Sequence, residues 1–239
     1  MMKDISIDYL GGSGFLVALG DVGMLFDASE HGQDRRIMPE RETLAAFRKL
    51  YVFVSHRHDD HFSETIYDLC GENAVYIVGF DIPQPHRGVR MNPGEEQGFG
   101  PVNVRAFGST DEGVSFLVTM AGIRIFHAGD LNLWHWRDES TITEIEAAEE
   151  AFYACVAPIP KGEIDVAFFP VDLVGKLDVG DWKAAQSEAC ARLVEDRGKG
   201  GCRGCGKRTG FGVAAFQRRE VEDDARHPGL GDDRVGIGY

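Results

Sequence analysis

The alternation of apolar and polar residues in DISIDYLG (4–11) has the period of two that marks a half-buried strand. GFLVALG and VGMLFDAS follow it with glycines between them, which predicts an antiparallel meander. In MPERETLAAFRKL (38–50) the spacing changes: Leu44, Phe47 and Leu50 fall on one face of a predicted helix. A continuous apolar run, YVFV (51–54), reads as a buried strand, and SETIYDLCGE (63–72) as a helix opened by Ser63 and closed by Gly71. AVYIVGF (74–80) is a further buried strand. Residues 81–101 carry four prolines and four glycines and are expected to form a loop. VNVRAFG, GVSFLVTMAG and IRIFHAGD then give three strands, the last two joined at a tight MAG turn. An acidic amphipathic helix is predicted over 142–156, and a buried strand running into a loop over 164–172.

Beyond about residue 174 this patterning stops. The last 44 residues hold 11 of the 30 glycines and show no sustained apolar period. Residues 1–173 are therefore expected to form one globular domain, and 174–239 a degenerate or poorly ordered segment.

Composition narrows the function classes. The 239 residues carry a formal net charge of −14, which disfavours non-specific binding to nucleic acid or anionic lipid. No apolar run reaches the roughly 20 residues of a bilayer span, so no membrane role is expected. The first residues lack a signal-peptide pattern, and the five scattered cysteines suit reduced thiols, so the expected location is the cytoplasm.

The chemistry concentrates directly behind the YVFV strand. SHRHDDHF places three of the eight histidines between positions 56 and 61. His56 and His58, two apart, would point to one side of an extended segment and serve one cation; Asp60 and His61 could face a second. Imidazole nitrogen and carboxylate oxygen suit zinc, and also iron or manganese.

SHRHDDHF resembles the H-x-H-x-D-H signature of the metallo-β-lactamase superfamily, and other segments agree with it in order. MLFDAS resembles the upstream strand that ends on an aspartate, here Asp27, and IFHAGDLN the later Gly-Asp motif, here Asp130. FGSTDEGVSFLV, IRIFHAGDLNLWHW and VAFFPVD together resemble a small bacterial subgroup of uncharacterised hydrolases, over roughly residues 3–173. The resemblance implies an α/β fold, a four-layer αββα sandwich of two mixed sheets with metals at one edge. It implies one or two divalent metals, with zinc the first choice and iron or manganese the alternatives. The implied ligands are His56, His58, Asp60, His61 and Asp130, with Asp130 bridging. The activity implied is hydrolysis of an ester, lactone, amide or phosphodiester in a small-molecule substrate by a metal-bound hydroxide. Asp60 or Asp130 would orient the water.

Two histidines of the full superfamily pattern are missing. Gly108 holds the slot of one, leaving Asp111 as a possible oxygen ligand or a turn residue bonded to its own backbone. The other would stand in a Pro-Met-His segment after the last strand, which the chain lacks; His227 has no apolar strand before it. The abrupt change of texture suggests a C-terminal segment out of frame with its relatives, which reading the coding DNA in its other two frames would test. The missing ligands also motivate an alternative function, a metal-binding or interaction protein that has lost turnover. Redox chemistry at a di-iron site is a third, less favoured without a flavin-binding segment.

Smaller signals remain open between function and structure. His127 could support Asp130 or be bonded to backbone beneath the sheet edge; Asp172 could face the metals or cap a helix. Trp134, His135 and Trp136 follow Asp130 and suggest a substrate-pocket wall, or ordinary packing. Cys202 and Cys205 have C-x-x-C spacing but no second pair, and GGSG (11–14) lacks the Lys-Ser/Thr of a phosphate loop. Substrate identity and oligomeric state are not encoded in any motif.

Overall fold

The computed structural model describes residues 5–32, 36–83, 87–133 and 140–170, and the backbone of 212–214. Two six-stranded sheets carry the fold. In the first, β1 (Ile5–Gly11), β2 (Gly14–Leu19) and β3 (Val22–Phe26) form the predicted antiparallel meander. The parallel strands β4 (Lys49–Val54), β5 (Val75–Gly79) and β6 (Val89–Met91) extend it from β3. In the second, β7 (Glu96–Phe99), β8 (Val102–Phe107), β9 (Ser115–Met120) and β10 (Ile123–His127) run antiparallel. β11 (Val166–Phe169) joins β10 in parallel, and the backbone of β12 (Gly212–Ala214) closes the edge. β12 thus lies within the segment set apart by composition.

Strand periodicity explains the layering, because successive side chains leave a strand on opposite faces. Val17, Met24, Phe26, Phe53 and Ile77 of the first sheet meet Val104, Ala106, Phe116, Val118 and Phe168 of the second in one core. The opposite face of the first sheet, with Leu16, Leu25 and Val52, is covered by Leu44 of α1 (Arg41–Ala45) and Ile66 and Tyr67 of α2 (Thr65–Cys70). The opposite face of the second, with Leu117, Phe126 and Ala167, takes Phe152 and Val156 of α3 (Ile142–Val156). Helices, two mixed sheets and a helix make the αββα sandwich. Strands covered on both faces lose the apolar–polar alternation, which is why YVFV is apolar throughout.

The structure corrects two sequence expectations. The helix expected over 38–50 is confined to Arg41–Ala45, because Lys49 and Leu50 pair with Val22 and Gly23 and start β4 early. The loop expected over 81–101 contains β6 and β7, edge strands whose residues are mostly exposed and so carry no apolar pattern. The MAG turn is the two-residue connection Ala121–Gly122, both at positive φ, as a type I′ hairpin requires. α3 has the predicted bounds and opens on a capping box, Thr141 with Glu144. No helix among the described residues is long and apolar enough to cross a membrane.

Candidate metal centre

β4 ends at Val54, and the chain turns at once into the histidine cluster. The amides of His61 and Phe62 both donate to the His58 carbonyl, at 3.0 and 2.8 Å. That turn folds His61 back against His56, with ring centroids 4.0 Å apart, while His58 stands edge-on to His56 at 4.7 Å. Two other loops close on the same strand end. The loop 108–113 and the loop 129–133 are joined through Thr110, whose hydroxyl donates to the Asn132 carbonyl and accepts from the Asn132 amide. Gly113 lets the first of these loops approach: a Cβ there would lie 2.1 Å from the Ser55 carbonyl oxygen and 2.5 Å from His56 Cβ.

The convergence brings His56, His58, Asp111 and Asp130 together, with one potential ligand atom from each, all within 4.8 Å of one another. His56 Nε2 lies 3.0 Å from His58 Nδ1 and 3.8 Å from Asp130 Oδ2, and His58 Nδ1 lies 3.7 Å from Asp111 Oδ2. Ligand atoms about 2.0–2.2 Å from one tetrahedral cation stand about 3.3–3.6 Å from each other. The donor set therefore fits a divalent metal in both chemistry and spacing. His56 is buried, whereas His58 and Asp111 face solvent, so the group opens on one side.

Beneath the histidines lies a residue that the sequence located without revealing its work. Asp27 follows β3 at a φ of 39° and is completely buried. Its carboxylate accepts from the Ser55 amide at 2.7 Å, the Ser55 hydroxyl at 2.6 Å and His61 Nδ1 at 2.9 Å. Because the Ser55 proton goes to Asp27, Ser55 Oγ accepts from His56 Nδ1 at 2.9 Å. The His56 proton is then fixed on Nδ1, and Nε2 presents its lone pair to the other donors. Burial alone would raise the Asp27 pKa, but the fields of His127, His61 and His56 and the His61 hydrogen bond hold it well below the usual carboxylate range.

Burial, and then the neighbouring His61, lower the pKa of His56, against the pull of Asp27 and Asp130, which favours the neutral imidazole that ligates metals. Burial works the same way on His61, yet its hydrogen bonds to Asp130 and Asp27 and their charges outweigh it and push the pKa up to about 10. Asp130 is held low: burial raises its pKa, and the His61 hydrogen bond and the His61 charge more than reverse the effect.

The remaining predicted residues are distributed as follows. His61 Nε2 lies 3.3 Å from Asp130 Oδ1 and 3.7 Å from Asp60 Oδ2, but neither His61 nor Asp60 is in the group of four. Asp111 reaches that group from the loop where Gly108 stands in the histidine slot. His127 is bonded to backbone: Nε2 donates to the Ser13 carbonyl at 2.9 Å and Nδ1 accepts from the Gly129 amide at 3.2 Å. It also stacks on Phe26 and stands 3.7 Å from Asp27 Oδ2, so it supports the carboxylate from below. Trp134, His135, Trp136, Asp172, Cys202, Cys205 and His227 lie outside the described residues.

No family model matches the chain. It is 28% identical over 166 residues to a UPF0173 metal-dependent hydrolase of Alkaliphilus metalliredigens, covering 60% of this chain and 71% of that protein. To a UPF0173 metal-dependent hydrolase of Symbiobacterium thermophilum it is 30% identical over 142 residues, covering 54% of this chain and 62% of the relative, under two thirds of its length. Among solved structures, a Thermotoga maritima protein described as a zinc-dependent hydrolase of the metallo-β-lactamase superfamily aligns at a TM-score of 0.44 and 16% identity, covering 80% of this chain and 71% of that one. The chain is thus similar in sequence to proteins described as metal-dependent hydrolases, and it combines the H-x-H-x-D-H segment with αββα layers.

Proposed function

From that likeness as premise, we propose that this chain is a hydrolase whose centre holds a divalent cation through His56, His58, Asp111 and Asp130. The single observation that carries the proposal is the closure of these four side chains, from three separate loops, to within 4.8 Å. A cation at this position would supply Lewis acidity, activating water and polarising a carbonyl or phosphoryl oxygen. The protein's own contribution is orientation. Asp27 holds Ser55, Ser55 holds His56 Nδ1, and the ligating nitrogen is thereby aimed before any cation or substrate arrives. Substrate approaches on the side of His58 and Asp111, the two exposed members of the set. The role proposed for Asp60, partly exposed beside His61, is to accept a proton from the attacking water.

The substrate class proposed is a small molecule with an ester, lactone, amide or phosphodiester bond. Zinc is the proposed metal, with manganese or iron as alternatives, and the cytoplasm the proposed location. Purified protein reconstituted with each metal and assayed on bis-p-nitrophenyl phosphate and simple lactones tests this. Metal-dependent turnover that disappears in His58→Ala is expected. Bound metal with no turnover on any substrate class would instead identify a metal-binding protein without hydrolytic function.

A further inference from the structure

His58 turns one ring nitrogen toward the centre and the other away from it. Nδ1 faces His56 Nε2 at 3.0 Å and Asp111 Oδ2 at 3.7 Å, whereas Nε2 stands 3.6 Å from Glu112 Oε2. Glu112 is itself gripped by a second side chain. Arg57 Nε donates to Oε2 at 2.5 Å and Nη2 to Oε1 at 2.6 Å, the paired bonds of a guanidinium fork. The backbone of Arg57 is held as well, its amide donating to Asp81 Oδ2 at 3.0 Å in the loop after β5. The pair therefore joins the two chain segments that carry the exposed ligands: Arg57 precedes His58, and Glu112 follows Asp111.

An ion pair this exposed contributes little to stability by itself, because water and salt screen both charges. What sets it apart is the third group. Once Nδ1 gives its lone pair to a cation, the one N–H of the neutral imidazole is at Nε2 and needs an acceptor. Glu112 Oε2 faces it, and a carboxylate oxygen has two lone pairs, enough for His58 as well as Arg57. An approach of about 0.7 Å brings the pair from 3.6 Å to hydrogen-bond length. We propose that Glu112, fixed by Arg57, is a positioning residue of the metal centre, holding His58 in the tautomer and ring orientation that present Nδ1 to the cation. The inference rests on the proposed centre and holds whether one cation or two occupy it. The buried ligand His56 has such a partner in Ser55, and Glu112 provides the exposed ligand His58 with its own.

Zn²⁺ isotherms of the purified full-length protein test the proposal through a double-mutant cycle. Glu112→Ala is expected to weaken Zn²⁺ binding by about 10- to 100-fold, the usual effect of removing such a partner. Its urea midpoint should match that of wild type, since the pair lost is exposed. In a His58→Ala background the same substitution should change affinity by less than about twofold, because the residue through which Glu112 acts is gone. Glu112→Gln, whose amide oxygen can still accept, should retain more affinity than Glu112→Ala. Arg57→Gln leaves Glu112 in place but unheld, and should weaken binding by no more than Glu112→Ala does. Undiminished affinity in Arg57→Gln would overturn the role given to Arg57. Undiminished affinity in Glu112→Ala, or an equal loss with and without His58, would overturn the inference while leaving the metal centre standing. If wild type binds no Zn²⁺, or His58→Ala binds it as tightly as wild type, the proposed centre itself fails and this inference with it.

Discussion

Replacing Asp27 with Asn changes one oxygen to an amide nitrogen at a fully buried polar position of the site. In the native protein the carboxylate accepts three hydrogen bonds, two from Ser55 and one from His61. The neutral side chain can keep its oxygen on the Ser55 amide. Its NH₂ group then faces the Ser55 hydroxyl and the His61 N–H, both of them donors. Two charge-assisted bonds are lost, each worth about 1.5–3 kcal/mol. Breaking a buried pair on one side costs about 3–5 kcal/mol, a large part of the roughly 5–15 kcal/mol that holds a domain folded. For a chain of this length that corresponds to a fall in Tm of about 6–20 °C. The same change frees the His56 ring, since Ser55 no longer has a fixed acceptor for its proton. Metal affinity should fall by about 10- to 100-fold, the usual effect of losing such support. Urea denaturation and isothermal titration with the metal measure the two effects, and Ser55→Ala in a double-mutant cycle should show coupling of about 0.5–3 kcal/mol. A variant that melts within 2 °C of wild type, by the conversion above, and binds metal equally well would refute the orienting role of Asp27.

Gly113→Ala should destabilise the protein by about 2–4 kcal/mol and weaken metal binding, because the new Cβ collides with the Ser55 carbonyl and His56 at a φ of 69°; a chemical melt and a metal titration check both. Thr141→Ala removes the capping box of α3 and should cost about 1 kcal/mol by urea denaturation without altering metal affinity. Burial pushes the Cys70 thiol up to about 12, against a small opposing effect of Arg41. Native Cys70 is therefore a thiol at pH 8.5, and site-resolved mass spectrometry should find it alkylated slowly there. Its labelling should accelerate only as pH rises toward that value or when the chain unfolds.

Local signals in the chain disclosed most of the framework. Strands covered on both faces, such as Val52–Val54, advertised themselves as apolar runs, and α3 carried its own cap at Thr141 and Glu144. Edge strands β6 and β7 did not, because exposed residues such as Val89, Glu96 and Gln97 have no face to bury. The end of α1 was set by pairing of Lys49 with Val22, a contact 27 residues away that no local window contains. The site divides the same way. Histidines and aspartates clustered in SHRHDDHF and HAGD are visible as ligand types. The bond from Ser55 to Asp27 and the fork of Arg57 on Glu112 join distant segments, so only the fold reveals them. Ser55 stood beside His56 in the sequence, but a serine before a histidine is unremarkable until its partner is known.

The central claim, that His56, His58, Asp111 and Asp130 form one cation site, is tested most directly by metal-binding isotherms of wild type, His58→Ala and Asp111→Asn. His58 and Asp111 are exposed, so neither substitution should disturb folding. Losing a ligand should weaken affinity beyond the roughly 10- to 100-fold expected of a supporting residue, in both variants. Undiminished affinity in His58→Ala would contradict the account, and undiminished affinity in Asp111→Asn alone would remove Asp111 from the ligand set.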